Sequence, residues 1–307
     1  MTETFSPPIL ADATPPATGS PIEPNPMTLH VRRPLGDASF AFDDWCAVYE
    51  NTAAMNEHVF AAFTGLADSI PWLKAHRDWV EKHDFGYGQR AFHYLWYLLL
   101  SSLRARFRPV EMLEIGVYKG QIISLAALVA RELGFEVDIT AVSPFSGNLA
   151  PVPVWRAAAN FLFRPRWREA YLLGNLHPIG DYLADNRRMF DAFELDFDRV
   201  HAVRGLSTSP AIAAQLSDAR FAVVFVDGDH SYEAAKFDIE TYAPLVRPDG
   251  FVVVDDGATF LPGRGYFKGM KSVSRACRLL EHSPEWQNVL NVGHDRVFRR
   301  RRGGVTF

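Results

Sequence analysis

Phe221 to Val226 is an unbroken apolar run that stops on Asp227, and Phe251 to Val254 is another that stops on Asp255-Asp256. A strand with apolar side chains in both alternating sets must be covered on both faces, which is the condition of a parallel sheet wrapped by helices. Three further segments fit the same scheme. Val110 to Ile115 runs into Gly116, Val137 to Val142 is stopped by Ser143-Pro144, and Val200 to Val203 precedes Gly205. Helical patterns lie between them: about Gly120 to Leu133 closed by Gly134, about Asp181 to Phe193, and about Tyr232 to Val246. Strand and helix in alternation predict an α/β, Rossmann-like fold with a mostly parallel sheet and helices on both faces. Such sheets bind ligands outside the carboxyl ends of their strands.

The remainder of the 307 residues is arranged around that unit. Residues 1–35 are rich in Pro, Thr and Ala and read as a disordered arm. Residues 36–106 carry helical spacing, as in Trp45, Val48, Tyr49 and then Phe60, Phe63, Leu66, and read as an N-terminal helical cap, a candidate surface for homo-oligomers. Residues 107–307 form the sheet domain, interrupted at about 146–178 by an insertion without strand character, which holds Trp155, Phe161, Phe163, Trp167 and Tyr171. Pro248-Asp249-Gly250 reads as a turn, Lys271 to Glu281 as a helix, and Trp286 to Val292 and Arg296 to Arg299 as late strands.

Chemistry concentrates at three strand ends. Glu114-Ile115-Gly116-Val117-Tyr118-Lys119-Gly120 joins a strand to a helix whose first N–H groups are free, and Gly116 permits a sharp turn and a close approach of ligand to backbone. It is not the dinucleotide pattern G-x-G-x-x-G, which disfavours a nicotinamide enzyme. Asp227-Gly228-Asp229-His230-Ser231 follows the next strand; Ser231 is a helix cap, but two aspartates and a histidine exceed what capping needs. With Asp255 and Asp256 ending what is expected to be the adjacent strand, carboxylates would converge about 4.8 Å apart. Like charges at that range call for a cation with oxygen ligands, Mg²⁺ before Ca²⁺ given the few ligands. The alternative is a set of solvated carboxylates with His230 on the surface.

These residues resemble a known family. E-x-G-x-x-x-G is similar to the loop of class I methyltransferases that faces the methionine part of S-adenosylmethionine (SAM). The segments Val224–Glu233, Leu245–Gly250 and Val253–Asp256 resemble the metal-dependent macrolide-sugar O-methyltransferases and the cephalosporin hydroxylase-like proteins grouped with them. The resemblance spans about residues 109–256 and implies a mostly parallel seven-stranded sheet. It implies Glu114, Gly116, Tyr118, Gly120, Ser143, Ser207 and Asp227 at the cofactor, Asp227, Asp255 and Asp256 on Mg²⁺, and His230 as the base. One departure is plain: Ser143 stands where the family places an acidic residue on the ribose. The implied activity is SAM-dependent O-methylation of a sugar or other polyhydroxylated small molecule. A SAM- or nucleotide-binding protein without turnover, or a hydroxylase-like enzyme on the same scaffold, is the alternative.

A net charge of −4 argues against a nucleic-acid partner, and the longest apolar stretch, Phe92 to Leu103, is too short for a membrane partner. Cys46 and Cys277 lack metal-type spacing and suit a reducing compartment. With no signal-like run among the seven prolines of the first 27 residues, the expected location is cytoplasmic.

Overall fold

The computed structural model describes residues 40–261, 263 and 265–302. The proline-rich arm expected at 1–35 lies outside them. Among the described residues four helices come first: α1 (Phe42–Val48), α2 (Ala53–Ser69), α3 (Pro71–His83) and α4 (Arg90–Leu103). Thr52 caps α2 by accepting the Met55 N–H at 3.2 Å, and Pro71 opens α3, where no N–H is needed. Then follow β1 (Val110–Ile115), α5 (Gln121–Leu133), β2 (Val137–Ser143), α6 (Val154–Phe163), α7 (Pro165–Leu172), α8 (Tyr182–Ala192), β3 (His201–Arg204), α9 (Pro210–Leu216), β4 (Phe221–Val226), α10 (Tyr232–Tyr242), β5 (Val246–Val254), α11 (Lys271–Ala276), α12 (Arg278–Glu281), β6 (Trp286–Val292) and β7 (Asp295–Arg300).

The seven strands form one sheet in the order β3-β2-β1-β4-β5-β7-β6. All pairings are parallel except those of β7, which runs antiparallel between β5 and β6. The fold is therefore the doubly wound, Rossmann-like one expected. β1 and β4 lie at its centre, and β4 and β5 are neighbours, with Val226 opposite Val254.

Because alternate side chains point to opposite faces, each central strand feeds two cores. Met112, Val223, Phe225, Phe251 and Val253 pack with α1, α2, α4 and α5; Leu113, Ile115, Val224, Val226, Val252 and Val254 pack with α10 and α11. The N-terminal helices are thus one wall of the main core. Trp96 of α4 meets Phe225 edge-on at 5.1 Å, and Phe42 of α1 meets Phe251 at 5.2 Å.

Local departures have local causes. Pro248-Asp249-Gly250 lies inside β5, where the register with β4 shifts between Phe221 and Val223 and Asp249 takes a φ of 63°. The bulge absorbs the turn chemistry without ending the strand. The 146–178 segment holds α6 and α7, joined at its base by a bridge between Leu149 and Pro178. Its aromatics pack on one another, Trp167 stacking on Tyr171 at 5.4 Å, or face solvent, as Trp155 and Phe163 do.

Candidate active site

Three turns converge at the carboxyl edge of the sheet. The first is the β1–α5 loop. Gly116 has a φ of 93°, and a Cβ there would lie 1.7 Å from the carbonyl oxygen of Asp227. The glycine is required by the β4 turn packed against it, so the contact that excludes a side chain is protein backbone, where ligand approach was expected. Gly120, φ 90°, is the N-cap of α5 and abuts Asn186. Glu114 is buried and its Oε2 has no hydrogen-bond partner; burial first, then the charge of Asp227, holds its pKa well above the usual carboxylate range.

Tyr118, at φ 47°, stacks on Tyr87 with ring centroids 5.3 Å apart, and Tyr182 meets it edge-on at 4.9 Å. Tyr87 belongs to a segment, Phe85-Gly86-Tyr87-Gly88, between α3 and α4. Arg77 pins that segment: its guanidinium donates to the Gly88 carbonyl at 2.8 Å and to Gln121 Oε1 at 3.2 Å, and it pairs with Glu81. The segment roofs a cavity of about 70 Å³ whose floor includes Glu114, Gly116, Tyr118, Asp227, Asp255 and Asp295. Four of the expected cofactor residues, Glu114, Gly116, Tyr118 and Asp227, therefore meet in one place.

Gly120, Ser143 and Ser207 do not line this cavity. Ser143 is buried and its hydroxyl accepts the Phe145 N–H at 3.3 Å, bracing its own turn. The Ser207 carbonyl accepts the Tyr242 hydroxyl at 2.6 Å, which ties the β3–α9 loop to α10.

The second and third turns follow β4 and β5. Asp229 accepts the Ser231 N–H at 2.7 Å in an exposed turn, and Ser231 accepts the Ala234 N–H at 3.4 Å to cap α10. His230 is held from the insertion: Asn175 Oδ1 accepts its backbone N–H at 3.0 Å, and Nδ1 donates to the Leu173 carbonyl at 2.6 Å. A carbonyl can only accept, so Nδ1 carries a hydrogen and Nε2 is left facing the carboxylates of Asp227 (3.8 Å) and Asp256 (3.6 Å). Burial alone would lower the imidazole pKa; the two aspartates outweigh it and push His230 up to about 10. Asp256 sits at φ 55° and is pushed up to about 6 by burial and by Asp255. Burial, then Asp255, pushes Asp227 well above its ordinary range. Asp255, in spite of its own burial, is held below the carboxylate range by a further histidine, His294, 3.1 Å away.

The sequence reading omitted His294. It lies in the turn between β6 and β7, next to Asp295, and the signal that could have exposed it is a His-Asp pair opening the last strand. Asp255, Asp256 and His294 offer ligand atoms that all lie within 4.8 Å of one another. The three aspartates expected to bind a metal and the histidine expected beside them do come together.

A wider groove, about 510 Å³, opens against Leu173 and Ser231, the neighbours of His230; Pro165, Arg168, Glu169, Leu172, Tyr232 and Ser272 complete its wall. That volume is in the range of small-molecule sites.

Residues 113–257 match the model of a methyltransferase domain. The matched stretch runs from Leu113 in β1 to Gly257 just after β5, so the strand ends that carry Glu114, Asp227, Asp255 and Asp256 all fall within the part of the chain that is similar to a methyltransferase domain. Solved structures similar to it include an O-methyltransferase from Bacillus cereus in complex with SAH (14% identity, 80% of this chain and 99% of that one, TM-score 0.48). Others are the calicheamicin methyltransferase CalS11 (17%, 82% and 94%, TM-score 0.47) and the O-methyltransferase NovP (16%, 68% and 79%, TM-score 0.47). A comparison with curated proteins found no match. Among the described residues, no helix is long and apolar enough to cross a membrane.

Proposed function

We propose that the chain methylates a hydroxyl of a sugar or another polyhydroxylated small molecule, with SAM as donor and a divalent cation at the cluster of Asp227, Asp255 and Asp256. The observation that carries this reading is the meeting of like-charged carboxylates, Asp256 buried and Asp227 and Asp255 half-buried, from two adjacent strand ends beside the Glu114–Gly120 loop. The residues suit both groups. Glu114 offers a buried, unpartnered oxygen at the cavity for the donor, and Asp255 and Asp256, with His294, offer ligand atoms within 4.8 Å of one another that could hold a divalent cation, with Asp227 close by at the end of the adjacent strand.

The donor supplies an electrophilic methyl group, and a bound cation lowers the pKa of a hydroxyl held against it. The protein's part is mainly positioning. In this reading the donor lies beneath the Phe85–Gly88 segment, where Tyr87 stacks on Tyr118. His230 Nε2 is the base. Its tautomer is fixed by Leu173, and it can accept a proton once the negative charge of Asp227 and Asp256, which keeps it protonated, is neutralised. The acceptor enters by the groove beside Ser231, where Arg168 and Glu169 supply a charged donor and acceptor for a polar molecule.

The test is mass-spectrometric screening of sugar and polyphenol acceptors for a gain of one methyl, with SAM binding followed by calorimetry. His230→Ala should slow transfer with SAM affinity kept. A fully active variant would remove His230 as the base, and activity that survives exhaustive chelation would remove the cation.

A further inference from the structure

The acidic cluster receives a contribution from the far end of the chain. β7 runs antiparallel beside β5 with Val254 opposite Arg296, and continuing that register brings Asp255 level with Asp295 and Asp256 level with His294. The two turns are locked together, because the Gly257 N–H donates to the His294 carbonyl at 2.9 Å. His294 Nδ1 donates to the Phe267 carbonyl at 2.8 Å, so its other nitrogen, Nε2, faces Asp255 at 3.1 Å and Asp256 at 3.8 Å. The edges of Phe92 (4.7 Å) and Phe267 (6.0 Å) fix the ring plane.

An imidazole whose Nδ1 is anchored on a backbone carbonyl and whose Nε2 is turned into a carboxylate set is oriented as metal-binding histidines are. A second observation points the same way. Asp295 is 2% exposed, its Oδ1 has no hydrogen-bond partner, and it borders the same cavity as Asp227 and Asp255. Asp295 also shares a side-chain hydrogen bond with Asp255, so Oδ1 is the oxygen left without a partner; a buried polar oxygen in that position is costly, and a nearby cation offsets the cost.

We propose that His294 is a nitrogen ligand of the cation site, and that it makes the site prefer a first-row transition ion such as Co²⁺ or Mn²⁺ to Mg²⁺. The proposal rests on the cation reading above and sharpens it. An all-oxygen set suits Mg²⁺, which binds few protein ligands and keeps its waters, whereas an imidazole in the set favours the transition series. Here the nitrogen comes from a hairpin outside the β4 and β5 turns that carry the aspartates.

The experiment is calorimetric titration of the chelator-stripped full chain with Co²⁺ and, separately, Mg²⁺, for the wild type and for His294→Asn. Wild type should bind Co²⁺ at least about ten-fold more tightly than Mg²⁺, and His294→Asn should lose about ten-fold in Co²⁺ affinity with Mg²⁺ affinity changed less than about three-fold. An unchanged preference in the variant, or no preference in the wild type, overturns the assignment of His294 and leaves the cation site standing. Failure of the wild type to bind either ion overturns both. Should His294→Asn not fold, spin-echo spectroscopy of the Mn²⁺-loaded His230→Gln protein decides the matter: nitrogen modulation from a coordinated imidazole supports the proposal, and its absence overturns it.

Discussion

Gly116→Ala should be among the most damaging single-methyl additions in this protein, and the structure says by how much. Two costs add. At φ 93° the backbone is in the left-handed half of conformational space, where a Cβ costs about 1–2 kcal/mol. The new methyl would also stand 1.7 Å from the Asp227 carbonyl oxygen and 2.4 Å from its carbon. Both are backbone atoms, so no rotamer change relieves the contact, and overpacking of this kind costs about 1–3 kcal/mol more. The expected loss is about 2–5 kcal/mol. Gly134→Ala is the control: its φ is 66°, and a Cβ there meets nothing within 4 Å, so it should lose only the conformational part, about 1–2 kcal/mol. Urea unfolding of the wild type and the two variants measures both numbers on one scale. If Gly116→Ala costs no more than Gly134→Ala, the tight seam between the β1 and β4 turns is wrong, and with it the placement of Asp227 beside Glu114.

Other outcomes follow from the same geometry. Tyr87→Ala removes the ring stacked on Tyr118 from the roof of the cavity and should weaken SAM binding with little change in melting temperature, since Tyr87 is 58% exposed; equal affinity by calorimetry would show the roof to be idle. His76 and His93 are fully buried; burial lowers both, His76 to about 3, so from about pH 6.5 downward the unfolded chain binds more protons and stability should fall as pH falls. A pH series of urea midpoints checks this, and His76→Gln should flatten the slope. Asp238 has the opposite sign: burial pushes it up to about 7, so stability should decline as pH rises from about 4 to 7, and Asp238→Asn should remove that decline.

Much of the fold could be read along the chain because burial writes itself into local patterns. Phe221–Val226 is apolar at every position because both faces of β4 are covered, and Gly134 stops α5 because a left-handed residue closes it. The helices of 154–172 and 210–216 carried no such mark. Of their residues, only Ala157, Asn160, Ile212 and Leu216 are buried, too few to show a period. The Pro248–Gly250 bulge was misread because turn residues signal φ values, and a strand can use those values without ending.

The aspartates at the tips of β4 and β5, the glycine turn after β1 and the histidine in the turn before α10 follow from residue type and spacing, since each sits where a local element stops or starts. What only the folded chain decided is which of them face one another and what completes them. Antiparallel entry of β7 beside β5 sets His294 and Asp295 against Asp255 and Asp256, about forty residues away in sequence, and a loop from the insertion aims the His230 ring by a single carbonyl. The protonation of that ring, the demand for glycine at 116 and the roof over the cavity are all consequences of proximity between segments. A periodicity repeats along one segment and carries no record of the segment packed across from it.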